Sequence, residues 1–335
     1  MKQRLVNLTM FDLLKGIFII IVVLRHSIPG NAVEEMLIWK LLYSVMMPVF
    51  FIISGFWLKK RKIKVGIWTS CKYLLLPYVT VMALINLGAA LDLFRVGRLD
   101  LWKEGYFFPA ILAISGASSP LGPMWFLFSL LWGWILFYLI IQIENEALRG
   151  SFVLIIGIAG CLLMDLELPF QIAQGFVAAF YVYCGTLMRE KKLLEKRVPW
   201  WMAVILMIAW LPQVMWGTMN LALYSVRFSI FGVLGSLAGS FLVIKLSLYA
   251  NRIESRVTDG LKWLGRNTIL ILCIHAVEMA VFPWRVLFRI VKCTPAASAL
   301  QFFARWIIIG VCFVILKKLQ QKHMQQKLHL KISKK

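Results

Sequence analysis

Lys15 and His26 lie eleven residues apart inside the first apolar block of the chain. On an α-helix that spacing rotates through about 1100°, within roughly 20° of three full turns, and rises about 16 Å. One helix face then carries a cation near one end and a titratable base near the other. Asp12, three residues before Lys15, falls on the cation's side. Charged groups and imidazoles are costly at membrane depth, so such residues are functional candidates by default. The plainer alternative has Lys15 snorkelling to the headgroups and His26 bonded to a backbone carbonyl near the interface.

Later blocks hold further polar residues in apolar surroundings. In the second, Pro48 frees a backbone carbonyl and Ser54-Gly55 admits a close backbone neighbour, which reads first as a packing device. Trp125, Ser129 and Trp132 share a stripe at the head of the fourth, placed either to stack on a ligand or to join the interfacial aromatic belt. Arg227, in the eighth, is expected one or two turns in from the surface, where it either snorkels or binds an anionic or hydroxylated ligand. His275 and Glu278 are i,i+3 neighbours in the ninth, able to form a hydrogen-bonded pair that serves either as structural glue or as chemistry. The six cysteines are scattered, without metal-ligand spacing, so no metal is expected.

The elements that must position these residues follow from composition. The 335 residues are 61% hydrophobic and 16% charged, with a mean hydropathy of +0.80, whereas a soluble domain has about a quarter of its residues charged. Ten apolar blocks stand at roughly 10–28, 37–57, 73–92, 121–142, 152–165, 169–188, 199–216, 221–248, 264–283 and 299–316. A re-entrant or interfacial piece at 106–114 would make eleven. The expected fold class is an all-α integral membrane protein, a bundle of about ten or eleven transmembrane helices. The net charge of +22 sits in short runs between the blocks rather than on one contiguous surface, so nucleic acid is not an expected partner.

Positive-inside bias instead orients the chain. Lys2, Arg4, the run Lys59-Lys60-Arg61-Lys62, residues 189–197 and 252–266, and the tail lie inside. Glu34, Glu35, Asp165 and Glu167 lie outside, with Arg285, Arg289 and Lys292 dissenting. Both termini are expected in the cytoplasm, with one membrane domain over 1–317 and a basic tail over 318–335 that lies on anionic lipid.

Four segments in this order resemble the acyltransferase 3 family, bacterial integral-membrane enzymes that O-acylate carbohydrates and cell-envelope polymers. They are Phe11-Asp12-Leu13-Leu14-Lys15-Gly16 with the apolar run to His26, then Pro48 to Phe56, then Met124-Trp125-Phe126-Leu127, and finally Leu264-Gly265-Arg266-Asn267-Thr268 with His275 downstream. The likeness is nearest to the fucose 4-O-acetylase-like branch. Two positions depart from the family pattern. Lys15 stands where Arg is frequent, and an Arg-x-x-Arg element is matched only by Arg61-Lys62-Ile63-Lys64 and Lys72.

The resemblance implies a multi-pass protein of the bacterial inner membrane, with acyl-CoA, most often acetyl-CoA, as donor. A hydroxyl of a sugar, exopolysaccharide or envelope glycan would be the acceptor. Lys59, Lys60, Arg61 and Lys72 would meet the CoA phosphates, Lys15 would lead the donor inward, and His26 would act as general base. From the residues' own chemistry rather than the resemblance, Ser54, Trp125 and Arg227 are the candidate donors to the tetrahedral intermediate, and His275 with Glu278 could bind the sugar or relay a second proton. A covalent acyl-His or acyl-Ser intermediate stays open. The alternative class is a multi-span secondary transporter of a small polar or anionic solute, for which inverted repeats would be expected and none is found.

Overall fold

The structure, a computed structural model, describes residues 8–29, 36–115 and 119–332, with side chains to residue 322. The expected charges at Lys2, Arg4, Glu34 and Glu35 lie outside these residues. The helices are α1 (Thr9–His26), α2 (Leu37–Trp57), α3 (Ile63–Ser70), α4 (Leu76–Arg95), α5 (Phe108–Leu112), α6 (Trp125–Ile140), α7 (Glu146–Leu162), α8 (Ile172–Glu190) and α9 (Trp200–Met215). A two-residue hairpin, β1 (Met219–Asn220) with β2 (Ser225–Val226), follows. Then come α10 (Ser229–Ala250), α11 (Arg256–Arg266), α12 (Thr268–Val281), α13 (Trp284–Ile290) and α14 (Thr294–Ile332).

Each apolar block is mainly helical. Among the described residues six runs are long and apolar enough to cross a bilayer, and the bent pair α11–α12 makes a seventh if taken as one span. The chain is therefore a multi-pass, all-helical membrane protein. Its outer surface is correspondingly apolar. Trp200, Ile208 and Phe231 are all more than half exposed, as expected of side chains that meet lipid rather than water.

Several boundaries differ from the sequence expectation for identifiable reasons. A π-turn at Cys71–Leu75 fuses α3 and α4 into one run, Ile63–Arg95, so Lys64 and Lys72 sit on helix rather than in a loop. The short fifth block gains a turn because Asn145 caps α7, accepting from the Leu148 N–H at 3.0 Å. The ninth block is not one helix. Thr268 Oγ1 donates to Gly265 O (2.6 Å) and Asn267 Nδ2 to Trp263 O (2.8 Å), and the chain bends by 74° between α11 and α12. The eighth begins at Ser229, eight residues later than expected, because Tyr224, Phe228 and Ser229 take positive φ and the hairpin occupies the gap. The last helix, α14, runs unbroken from the apolar block into the basic segment, through Ile332.

Two close helix crossings set the register of the bundle. A Cβ on Gly16 would collide with the carbonyl of Leu261, and one on Gly265 with the carbonyl of Asp12, so α1 and α11 meet backbone to backbone. Gly55 against Val182 and Gly185 against Ile52 do the same for α2 and α8, and Thr186 Oγ1 donates to Gly55 O at 2.9 Å.

The basic loops gather at one end of the bundle. Phe11 packs on Trp57, Arg189 donates to the carbonyls of Phe56 and Leu58, and Lys245 Nζ donates to Leu194 O and Lys196 O. At the opposite end Ser115, Gln171, Ala113 and Tyr224 interlock by hydrogen bonds beside the hairpin.

Candidate active site

The face of α1 foreseen from the spacing opens on a cavity of about 320 Å³ at the end of the bundle away from the basic loops. Ile19, Val22, Arg25 and His26 form one wall; Tyr43, Met47 and Phe50 of α2 form another. Ser119, Gly122 and Trp125 come from the turn that starts α6, Thr268, Leu272 and Met279 from α12, and Met219 to Leu223 from the hairpin. The hairpin roofs the cavity because Gln174 Nε2 holds Leu221 O (3.4 Å) and Tyr224 Oη accepts from Ser115 N (3.2 Å).

His26 lines this space and is half-buried. Its ring lies 5.3 Å from that of His275, tilted by 55°. Arg25 beside it donates to Tyr43 Oη and to Ile28 O. Lys15 does not reach the cavity. It lies one turn of α1 beyond Ile19 and is ion-paired with Asp12 at 2.9 Å, both side chains about a quarter exposed. Lys59, Lys60, Arg61 and Lys72 are exposed at the basic end and line no part of the cavity. Lys72 Nζ instead lies 5.9 Å over the Tyr73 ring.

Of the other residues expected to contact substrate, only Trp125 lines the cavity. Ser54 accepts from Trp134 Nε1 at 2.6 Å, near the basic end of α2, and packs α2 on α6. Arg227 is exposed in the turn that leaves the hairpin, its guanidinium 5.8 Å over Phe228. It precedes the span instead of lying inside it. His275 and Glu278 form the expected pair, Nδ1 to Oε1 at 2.6 Å, but are 0% and 2% exposed and stand behind His26 rather than in the cavity wall. A sugar-binding role for Glu278 meets the obstacle that both its oxygens are taken by this chain.

What takes them was not foreseen. Arg305, 3% exposed on α14, donates Nη1 to Glu278 Oε1 at 2.6 Å, and Trp284 Nε1 donates to Oε2 at 2.9 Å. The guanidinium lies 4.9 Å over the Trp284 ring. With the Gln301 amide oriented to satisfy both its ends, its oxygen accepts from Arg305 Nη2 (2.6 Å) and Nε (3.2 Å), and its nitrogen donates to Ser27 O (3.1 Å). A continuous polar chain thus returns to the residue after His26. Arg305 was legible as a guanidinium inside the last apolar block; Gln301, Tyr43 and Asn220 carry no such signal. Among the described residues no group of three His, Cys, Asp or Glu could hold a metal ion.

A family model described as an acyltransferase domain, that of the acyltransferase 3 family, matches residues 9–317. No curated protein and no solved structure matches the chain. Of the two function classes the sequence left open, the acyltransferase is the one this match supports.

Proposed function

The chain belongs to the acyltransferase 3 family, and from that premise we propose that it carries an acyl group, most simply acetyl, from acyl-CoA to a hydroxyl of a carbohydrate or cell-envelope glycan. The setting is the bacterial inner membrane, with the basic end and both termini of the chain in the cytoplasm. The observation that carries the reading is the placement of His26 and Trp125 in one cavity, three turns of a single helix above Lys15.

In this reading the CoA phosphates rest on Lys59, Lys60, Arg61 and Lys72 at the basic end. The pantetheine arm follows α1 past Lys15, which Asp12 holds in place, and the thioester meets the acceptor at His26. An imidazole takes the hydroxyl proton as the oxygen attacks the thioester carbon, because its ordinary pKa lies near neutral pH. Trp125 Nε1 and the Arg25 guanidinium are the donors on the cavity wall that could face the developing oxyanion. One domain over 1–317 suffices for this chemistry, with the basic segment 318–335 following it.

His26→Ala tests the assignment. Transfer from acetyl-CoA, followed by mass spectrometry of envelope glycans from cells with and without the chain, should fall about a hundredfold or more while the protein still inserts. Acetylation retained at the wild-type rate would remove His26 from the mechanism. The same spectra report the acyl mass and its carrier.

A further inference from the structure

Glu278 is the hub of the buried network. Its carboxylate accepts from His275 Nδ1, Arg305 Nη1 and Trp284 Nε1. Because a carboxylate only accepts, the hydrogen shared with His275 sits on Nδ1, and that choice of tautomer leaves Nε2 with a lone pair. His275 Nε2 is buried and has no hydrogen-bond partner. Such an atom needs an explanation, and the neighbouring ring is His26, 5.3 Å away and itself on the cavity wall. The separation leaves room for the two rings to bond directly after a small turn or through one water. The arrangement has the order of a base backed by a carboxylate, with Arg305 and Gln301 fixing the carboxylate from the far side.

We infer that His275, aligned by Glu278 and Arg305, is the second proton carrier of the transfer, receiving through His26 the charge released by the acceptor hydroxyl. This rests on the acyl-transfer reading above. As the acceptor oxygen bonds to the thioester carbonyl carbon, its proton moves to the cavity-facing nitrogen of His26. The N–H on the other nitrogen of His26 passes to His275 Nε2. The positive charge then rests on His275, against the Glu278 carboxylate, rather than on the ring facing the substrates. When the intermediate collapses the C–S bond breaks, the proton returns by the reverse route to the sulfur, and an ester and a thiol leave with both imidazoles neutral. Glu278 and Arg305 touch no substrate; they are positioning residues that keep His275 in one tautomer and orientation.

The test uses the full chain in proteoliposomes with radiolabelled acetyl-CoA and envelope glycans as acceptor. His275→Gln should lower kcat about a hundredfold, with KM for both substrates within about twofold. A merely structural pair would not change the proton count. In the wild type, rate plotted against the deuterium fraction of the solvent should curve, as two protons move together, and in His275→Gln it should become straight. Should His275→Gln fail to insert, the near-isosteric Glu278→Gln supplies the same comparison, its curve also straightening as kcat falls. A His275→Gln or Glu278→Gln enzyme that inserts and keeps the wild-type kcat or curvature overturns the inference alone. A wild type that moves no label to any glycan overturns the acyl-transfer reading, and the inference with it.

Discussion

Glu278 and Arg305 form an ion pair almost wholly out of contact with solvent, at 2.6 Å. Removing one partner of such a pair strands the other, at a cost of about 3–5 kcal/mol, whereas replacing both by apolar groups costs far less. Arg305→Leu should therefore lower the melting temperature of the purified protein sharply. Arg305→Leu with Glu278→Leu should recover most of the loss while staying inactive, and a double variant no more stable than the single one would show that the pair is not the source of the loss. At this scale the sequence was informative where geometry is local. The eleven-residue interval puts His26 on the cavity and Lys15 one turn beyond it, and the i,i+3 spacing pairs His275 with Glu278. It was uninformative where partners come from a distant part of the chain: the Arg305 bond to Glu278 spans 27 residues, and no periodicity encodes it.

The motif glycines act through the elements they join. Gly16 and Gly265 face each other's helices so closely that neither tolerates a side chain, which makes α11 the clamp that fixes the lower half of α1. Gly265→Val should force α1 and α11 apart and cost about 3 kcal/mol, with activity lost although Gly265 itself does not line the cavity. Gly260, on the exposed face of the same helix with nothing near its missing Cβ, supplies the control. Gly260→Ala should leave activity unchanged and raise stability by about 0.5–1 kcal/mol. Thermal unfolding in detergent decides both, and equal losses in the two variants would refute the clamp. The apolar blocks announced these helices well. The break at Asn267 and the hairpin before α10 were hidden, because both depend on a few side-chain and left-handed backbone choices inside otherwise apolar stretches. Arg227 was misplaced for that reason.

Taken whole, the molecule separates charge from chemistry: the lysine-rich loops lie at one end and the roofed cavity at the other. Cys293, exposed in the link between α13 and α14, belongs to the cavity end. A variant that keeps only Cys293 should react with a membrane-impermeant maleimide in intact spheroplasts, since the positive-inside orientation puts that end outside. Labelling that requires lysis would invert the topology and with it the proposed route of the donor. The last helix bears on the same arrangement. Its 39 residues rise about 59 Å, roughly twice the hydrocarbon thickness, and carry Arg305 in the apolar portion with Lys317 and Lys318 about 18 Å further along the same rod. A rigid rod moves as one piece, so those ammonium groups act as a depth stop. Sliding α14 by a single turn toward the cavity end would drag both into oil, at about 2–3 kcal/mol each, and the guanidinium is thereby kept level with the carboxylate it serves.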